Sequence, residues 1–210
     1  MLMPDADLPS LPGDAATLEF YAREAPVYVA SGRDGASRWL AGFLALLPVG
    51  ARVLELGCGG GRDAAAMLAA GFAVQATDGS PAIAAKAAER LGQAVEVMRF
   101  DELSAVAAFD AVWANASLLH VPRAALPGVL AKIYRALTPG GLHFASYKGG
   151  RIEGRDRFGR YFNHLDRAAL ETAYTASAPW EILSVVEAIG GGYDGAQGPW
   201  LAITVRRSTD

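Results

Sequence analysis

The fold of this chain is decided by the stretch VLELGCGGGRD at residues 53–63, which an alanine- and leucine-rich run to Ala70 follows. A short apolar segment, four glycines within five positions and then helix-forming residues predict a strand, a tight turn and a helix. Without Cβ atoms, the backbone of the turn can adopt positive φ and approach a ligand closely, and free N–H groups at the helix start face the same spot. The stretch therefore predicts a turn that cradles a cofactor.

The spacing of the glycines narrows the type of cofactor. A dinucleotide fingerprint has the pattern G-x-G-x-x-G, but Arg62 stands where its third glycine belongs, and the glycines read G-x-G-x-G at Gly57, Gly59 and Gly61. Glu55 precedes them at the end of an otherwise apolar strand. Its carboxylate would repel a pyrophosphate but can accept hydrogen bonds from an ammonium group or from its water. The pattern favours a cofactor with an amino-acid part.

The pattern Glu55-x-Gly57-x-Gly59-x-Gly61 resembles the first motif of the class I S-adenosylmethionine-dependent methyltransferases. The resemblance implies S-adenosylmethionine as cofactor, held at these four residues, and transfer of its methyl group to a small-molecule acceptor. The chain as a whole is also similar to small bacterial enzymes of the tellurite-resistance methyltransferase type.

A second segment, FDAVWANASLLHV at residues 109–121, resembles the fourth-strand motif of small-molecule methyltransferases, and ALTPGGLHFASY at residues 136–147 is also typical of the family. Asn115 falls at the end of this fourth strand, so the resemblance implies that it contacts the cofactor. No Pro-Pro-aromatic sequence follows Asn115, which disfavours the subgroup that methylates adenine or glutamine amides.

Strand and helix patterns alternate along the chain. This alternation predicts an α/β fold with a doubly wound, mostly parallel sheet and ligands outside the carboxyl ends of the strands. The resemblance implies the seven-stranded, Rossmann-like class I methyltransferase fold. The length of 210 residues fits one domain. Residues 1–13 contain three prolines and are expected to form a flexible arm, and residues 14–210 a single methyltransferase domain.

Two helices are expected before the first strand, one over residues 14–25 that ends at Pro26 and a second over residues 37–47. The resemblance implies that such helices cover the cofactor site. Tyr21 and Tyr28 are therefore candidate wall residues, with Tyr21 assigned to substrate binding. Ordinary packing between helices explains either tyrosine equally well.

Asp78 ends the apolar strand predicted over residues 72–77, and Ser80 after it is a good helix N-cap. An acidic residue about 20 positions after the first glycine of such a turn can accept hydrogen bonds from two ribose hydroxyls. Gly79 beside it is assigned to the same cofactor site. This feature supports a cofactor that carries a nucleoside.

Two further acids follow the strand predicted over residues 94–99. The resemblance implies that an acid at this place accepts a hydrogen bond from the adenine amino group. Asp101 is our choice, with Glu102 as the close alternative and helix capping as a competing role for Asp101.

His120 is the candidate catalytic residue. Methyl transfer from a sulfonium needs a general base only if the acceptor must lose a proton, because alignment and water exclusion supply much of the catalysis. His120 follows the fourth strand, in the region that faces the methyl group in the resembling enzymes. A helix-terminal histidine bonded to the backbone is the competing interpretation, and His143 and His164 are expected to be structural.

The segment from Lys148 to Arg160 holds five basic residues against two acidic ones, although the chain has a net charge of −3. Charge clusters are most often solvated loops. The functional interpretation is a lid that recruits an anionic acceptor. The candidate substrate-binding arginines are Arg151, Arg155, Arg157 and Arg160.

Composition excludes several classes of function. The net charge of −3 provides no overall attraction to nucleic acid or to an anionic membrane, so a small molecule is the expected partner. The single cysteine, Cys58, rules out a disulfide framework and a multi-cysteine metal site, and no metal is expected. No secretory signal and no run of about 18 apolar residues are visible, so we expect a cytoplasmic protein. The sequence leaves the oligomeric state open.

Two other classes of function remain. A nicotinamide-dependent oxidoreductase fits the fold and Asp78 but conflicts with Glu55 and Arg62. A non-catalytic S-adenosylmethionine-binding protein would bind the cofactor without turnover.

Overall fold

The computed structural model describes residues 14–31, 35–193 and 195–209. The arm expected at residues 1–13 lies outside the described residues. Six helices and nine strands follow one another in the part described. The strands are β1 (Arg52–Leu56), β2 (Ala73–Asp78), β3 (Glu96–Val97), β4 (Phe109–Ala114), β5 (Leu137–Lys148), β6 (Gly154–Arg155), β7 (Tyr161–Phe162), β8 (Trp180–Gly191) and β9 (Gln197–Arg207). The helices are α1 (Ala15–Ser31), α2 (Leu40–Leu44), α3 (Arg62–Ala69), α4 (Pro81–Leu91), α5 (Leu126–Ala136) and α6 (Arg167–Ser177).

Seven of the strands form one sheet in the order β3-β2-β1-β4-β5-β9-β8. The pairs from β3 to β5 are parallel, and β9 lies antiparallel between β5 and β8. The predicted seven-stranded, mostly parallel, doubly wound sheet is thereby confirmed. Because β1, β2 and β4 are parallel neighbours, the turns that follow them meet at one edge of the sheet, which is where this fold binds ligands.

Helices cover both faces of the sheet. Alternate residues of β1 point to opposite faces, so Val53 belongs to one apolar core while Leu54 belongs to the other. On the Val53 face, the ring of Trp113 stacks on Phe144 with centroids 4.2 Å apart, and Phe43 of α2 packs against both rings. Helices α5 and α6 close the Leu54 face. The near-continuous apolar character of the central strands follows from this burial on two sides.

Helix boundaries differ from the expected ones in two places. Helix α1 continues through Pro26 to Ser31 rather than ending at Ala25, because burial of Phe20 and Ala25 compensates for the one intrahelical bond that proline cannot donate. Helix α2 is shorter than expected, since the N–H of Ser37 donates to the carboxylate of Asp63 and the helix begins only at Leu40. Tertiary contacts override local capping signals at both places.

The basic segment forms a short hairpin of β6 and β7 that packs against α1. The guanidinium of Arg155 pairs with the carboxylate of Asp14, with Nη1 2.7 Å from Oδ2. The N–H of Tyr161 donates to Oγ1 of Thr17 at 2.8 Å. Asp14 also accepts from the N–H of Thr17 and caps α1 as predicted. The hairpin therefore fastens α1 above the carboxyl edge of the sheet.

Within the described ranges, no helix combines the length and the apolar character that crossing a bilayer requires.

His143 of β5 occupies a fully buried position. The carbonyl of Val112 can only accept, so Nδ1 of His143 donates to it at 3.0 Å, and Nε2 then accepts from the hydroxyl of Tyr174 at 3.0 Å. Tyr174 in turn bonds to the hydroxyl of Tyr147. Burial lowers the pKa of His143 to about 4. The neutral imidazole links β4, β5 and α6.

This histidine gives the fold a predictable response to acid. The unfolded chain binds a proton at a histidine pKa near 6.5, whereas folded His143 takes it up only near pH 4, so the free energy of unfolding falls as pH drops through this interval. At pH 5 the loss attributable to His143 should be about 2 kcal/mol. Urea titrations of the wild type and of His143→Gln at pH 7 and pH 5 test this. The variant should be less stable at pH 7 but should lose less on acidification, and equal losses would contradict the assignment.

Candidate active site

The glycine-rich turn after β1 lies against the segment that follows β4. Gly57 has a φ of +74°, and a Cβ at this position would lie 2.6 Å from Cβ of Ser117. The N–H groups of Gly57 and Cys58 both donate to the carbonyl of Thr77 at the end of β2. The absence of a side chain at Gly57 thus permits both the left-handed backbone and the close approach of two loops.

Asp78 is bound to the same turn. Its Oδ2 accepts from the N–H of Gly59 at 3.0 Å, and its Oδ1 accepts from the N–H of Ser80 at 2.9 Å. Burial raises the pKa of Asp78 to about 6. Each carboxylate oxygen has a second acceptor site, so Asp78 can still accept from the hydroxyls of a ligand. Ser80 also caps α4 by accepting from the N–H of Ile83, as predicted.

An inner pocket of about 80 Å³ lies between α1, this turn and the loops after β3 and β4. Asp78 and Gly79 line one side, and Tyr21, Tyr28 and His120 line another. These five residues were candidate site residues in the sequence, and the structure brings them together around one pocket. Apolar contact on the β3 side comes from Met98 and Phe100.

Asp101 and Glu102 are not among the residues that line the inner pocket, and their assignment to the adenine stays a prediction. Arg99 engages the two acids instead: its Nε lies 3.2 Å from Oδ1 of Asp101, and its backbone N–H donates to Glu102 at 2.7 Å. Strand β3 comprises only Glu96–Val97, which is shorter than the strand predicted over residues 94–99, and the chain turns at Phe100. The residues of this segment that line the inner pocket are Met98, Arg99 and Phe100.

A larger outer cleft of about 700 Å³ continues from the glycine turn toward β5, β8 and β9. It shares Tyr28, Gly57 and Gly59 with the inner pocket. Asn115 and Ser146 lie on its wall. The hydroxyl of Ser146 donates a hydrogen bond to the side-chain oxygen Oδ1 of Asn115 at 2.7 Å. The inner pocket and the outer cleft therefore form one continuous site along the carboxyl edge.

Glu55 lies on the wall of the outer cleft with 3% of its surface exposed. Its Oε2 is buried and has no hydrogen-bond partner among the described residues. Burial, followed by the neighbouring Asp63 and Asp78 carboxylates, raises the pKa of Glu55 well above its ordinary value. An unpartnered carboxylate oxygen at this depth is suited to an ammonium group or to a bridging water.

Asp63, in the first turn of α3, is a site residue that sequence reasoning missed. Its Oδ1 accepts from the N–H of Ser37 at 2.6 Å, and its Oδ2 accepts from Nε1 of Trp113 at 2.9 Å and from the amide of Asn115 at 3.2 Å. The sequence shows an acid at the end of the glycine motif and a polar Asn115 after an apolar strand. Neither feature indicates that the two side chains bond to each other. The arrangement fixes Asn115 on the cleft wall.

His120 has both ring nitrogens occupied. The carbonyl of Tyr161 can only accept, so Nδ1 of His120 donates to it at 2.6 Å. Nε2 therefore accepts from the hydroxyl of Tyr21 at 2.9 Å. Burial lowers the pKa of His120 to about 4, so the imidazole is neutral near pH 7. A neutral imidazole with a basic Nε2 is chemically able to take up a proton.

The four arginines of the basic segment differ in exposure and in their partners. Arg160 is 2% exposed and pairs with Asp156 at 2.7 Å, and Arg155 pairs with Asp14. The side chain of Arg151 is 86% exposed and lies 3.5 Å from Asp166. Arg157 is in the exposed turn and stacks over the ring of Phe158. Two of the four guanidinium groups are thus paired with acids close by, and the predicted binding of an anionic acceptor by these arginines stays a prediction.

No group of three or more histidine, cysteine or acidic side chains in the described ranges has the arrangement of a metal site.

The strand order, the glycine turn after β1 and the acid at the end of β2 together define the class I methyltransferase type of Rossmann-like domain. Residues 53–141 match the family model described as a methyltransferase domain. The matched residues include the glycine turn, and the match agrees with the resemblance of the first motif to the class I S-adenosylmethionine-dependent methyltransferases.

Solved structures agree in fold. Burkholderia thailandensis 1,6-didemethyltoxoflavin-N1-methyltransferase, solved with 1,6-didemethyltoxoflavin and S-adenosylhomocysteine, is 24% identical over 98% of this chain and 93% of its own, with a TM-score of 0.76. A methyltransferase from Methanosarcina mazei is 16% identical, covers 84% of this chain and 100% of its own, and has a TM-score of 0.74. A [4+2]-cyclase is 22% identical over 97% of this chain and 99% of its own, with a TM-score of 0.72. No curated protein matches the sequence. The similarity is one of fold.

The tight approach at Gly57 predicts a strong effect of one methyl group. Gly57→Ala should lower the free energy of unfolding by about 2–4 kcal/mol, because the left-handed backbone and the contact with Ser117 both oppose a Cβ. Gly42→Ala is the matched control, since it lies in α2 with no atom within 4 Å of the added Cβ. Chemical denaturation should show Gly42→Ala to be neutral or stabilised by up to about 1 kcal/mol. Equal effects at the two positions would contradict the packing described.

Proposed function

We propose that this chain binds S-adenosylmethionine and transfers its methyl group to a small-molecule acceptor. The observation that carries the proposal is the buried, unpartnered Oε2 of Glu55 on the cleft wall beside the glycine turn. A carboxylate there opposes the pyrophosphate of a dinucleotide and suits the ammonium group of an amino-acid cofactor. The match of residues 53–141 to a methyltransferase domain supports the same conclusion.

The residues present fit the parts of this cofactor. Asp78 would hold the ribose hydroxyls, and the apolar surface of Met98 and Phe100 would contact the adenine in the inner pocket. Glu55 and the backbone at Gly57 and Gly59 would hold the amino-acid part. When bound, the cofactor supplies an activated methyl group on a good leaving group. The protein's own task is then to align the acceptor and exclude water, and alignment alone can supply roughly 7–11 kcal/mol.

The acceptor side of the proposal rests on His120 and Tyr21, which line the inner pocket together with Asp78. The bound 1,6-didemethyltoxoflavin of the Burkholderia thailandensis enzyme is a precedent for a small-molecule acceptor on this fold. The paired guanidinium groups of Arg155 and Arg160 give little support to an anionic acceptor. The proposal therefore specifies the size of the acceptor and not its charge.

Two alternatives to this proposal are a protein that binds S-adenosylmethionine without turnover and a nicotinamide-dependent oxidoreductase. Calorimetry with S-adenosylmethionine, S-adenosylhomocysteine and NAD separates binding preferences. Release of S-adenosylhomocysteine in the presence of small O–H, N–H and S–H acceptors then tests catalysis. Binding of NAD and not of S-adenosylmethionine would overturn the proposal.

Asp78 provides a direct test of cofactor binding. Hydrogen bonds to a charged group contribute about 1.5–3 kcal/mol, so Asp78→Asn should weaken S-adenosylmethionine binding about 10- to 100-fold. The wild-type affinity should fall as pH drops below about 6, where Asp78 gains a proton, and the variant should lose this part of the pH dependence. Asp110→Asn is the control, because Asp110 bonds to Arg52 at the opposite end of the strands. Equal dissociation constants for Asp78→Asn and the wild type would remove Asp78 from the site.

His120 provides the test of proton transfer. His120→Asn should lower turnover by about 10²–10⁴-fold under single-turnover conditions if loss of a proton limits the rate. The dissociation constant for S-adenosylmethionine should change little. His164→Asn is the control, since His164 does not line the inner pocket. Retained turnover in His120→Asn would assign His120 to a structural role.

A further inference from the structure

The imidazole of His120 has one basic lone pair, and the hydroxyl of Tyr21 occupies it. Because Nδ1 donates to the Tyr161 carbonyl, only Nε2 can take up a proton, and Nε2 lies 2.9 Å from the Tyr21 oxygen. The rings of Tyr21 and His120 also meet edge to face, with centroids 5.5 Å apart. A molecule in the inner pocket therefore meets the Tyr21 hydroxyl before it meets the basic nitrogen of His120.

Arg160 contacts the same hydroxyl from the other side. Its Nε and Nη2 both donate to Oδ2 of Asp156, at 3.0 and 2.7 Å, which leaves Nη1 to donate to the Tyr21 oxygen at 3.3 Å. The guanidinium carbon lies 4.9 to 5.8 Å from the centres of five aromatic rings. These rings belong to Phe20, Tyr21, Phe158, Phe162 and Tyr193.

This surrounding fixes the position of Arg160. The side chain is only 3% exposed, so its charge is poorly screened by solvent and it has little freedom to turn toward a ligand. The sequence assigned Arg160 to the acceptor, but the geometry directs it to Tyr21.

We propose that Arg160 is a positioning residue that holds the Tyr21 hydroxyl on His120, so that an acceptor's proton reaches His120 only through Tyr21. This inference rests on the proposed methyl transfer and names the group that the acceptor meets. Tyr21 is then the catalytic residue in contact with the acceptor, and His120 is the final site of the proton.

The proton balance of this path is simple. The X–H bond of the acceptor breaks, its electron pair stays on X, and the proton goes to the oxygen of Tyr21. The proton that Tyr21 carried passes at the same time to Nε2 of His120, which gives an imidazolium and leaves Tyr21 neutral. The nearby guanidinium of Arg160 stabilises the negative charge that passes through the phenol oxygen. The carbonyl of Tyr161 stabilises the imidazolium through Nδ1.

The inference can be tested without knowing the acceptor. Protein labelled with ¹⁵N-histidine has three imidazoles, and the His120→Asn variant assigns the His120 signals. In the wild type at pH 7, Nδ1 should carry the proton and Nε2 should show the shift of a hydrogen-bond acceptor. Tyr21→Phe should move the Nε2 signal to the position of an unbonded nitrogen.

Arg160→Gln should move the same signal in the same direction and should raise the titration midpoint of His120 above about 4, because a nearby positive charge is removed. Arg160→Lys should restore the midpoint but not the Nε2 shift, since an ammonium cannot reproduce the forked pairing. Arg151→Gln is the matched control on the same segment, and its exposed side chain should leave both quantities unchanged.

A second measurement covers the case in which Arg160→Gln loosens the hairpin. Diethyl pyrocarbonate acylates a free imidazole nitrogen, and peptide mass spectrometry gives the rate at each histidine. The Tyr21→Phe variant leaves the ion pairs Arg155–Asp14 and Arg160–Asp156 in place. It loses one hydrogen bond to His120, worth about 0.5–1.5 kcal/mol, so acylation of His120 should be about 2- to 10-fold faster than in the wild type. The rate at half-buried His164 should stay the same.

The outcomes separate the two proposals. An Nε2-protonated His120, or an Nε2 shift and an acylation rate that do not respond to Tyr21→Phe, would overturn the relay through Tyr21. Unchanged His120 signals in a folded Arg160→Gln variant would overturn the positioning role. Failure of the wild type to bind S-adenosylmethionine in calorimetry, with the expected His120 signals present, would overturn the proposed function instead.

Discussion

The carboxylate of Asp63 is the constraint on which the site depends. It lies at the start of α3, where the helix dipole favours a negative charge, and it is only 8% exposed. Its three hydrogen bonds reach the chain before α2, the indole of Trp113 and the amide of Asn115. One side chain thus holds the glycine turn, β4 and the entry to α2 at fixed distances. Removing it would take the acceptor from three donors, and the loss at the buried indole N–H of Trp113 alone would cost about 1–3 kcal/mol.

With that edge fixed, the site divides its chemistry between two regions. Of the two acids at the ends of β1 and β2, Glu55 lies on the outer cleft, and Asp78 lines the same inner pocket as the neutral pair of Tyr21 and His120. Burial acts in opposite directions on the two sets. It raises the pKa of Glu55 and Asp78 and lowers that of His120, so every one of these groups is closer to its neutral form than in water.

The sequence alone predicted the sheet and the glycine turn, because these depend on local patterns. Apolar strands, glycines at fixed spacing and the Ser80 cap each leave a signal within a few residues. The partners of Asp101 and Arg160 leave no such signal. The sequence around Asp101 does not show whether its carboxylate bonds to Arg99 or faces a pocket. Charge counting likewise could not show that Arg155 meets an acid 141 positions away. The assignments of cofactor and acceptor residues stay predictions.

The fastening of α1 by the β6–β7 hairpin has a consequence for how the protein is made. Helix α1 leaves the ribosome before the strands of the sheet, yet Arg155 and Tyr161, which hold it at Asp14 and Thr17, emerge only after five of these strands. Contacts this distant in sequence carry a large loop-closure entropy and form late. Strands β1 to β5 can therefore assemble before the hairpin holds α1 over the inner pocket.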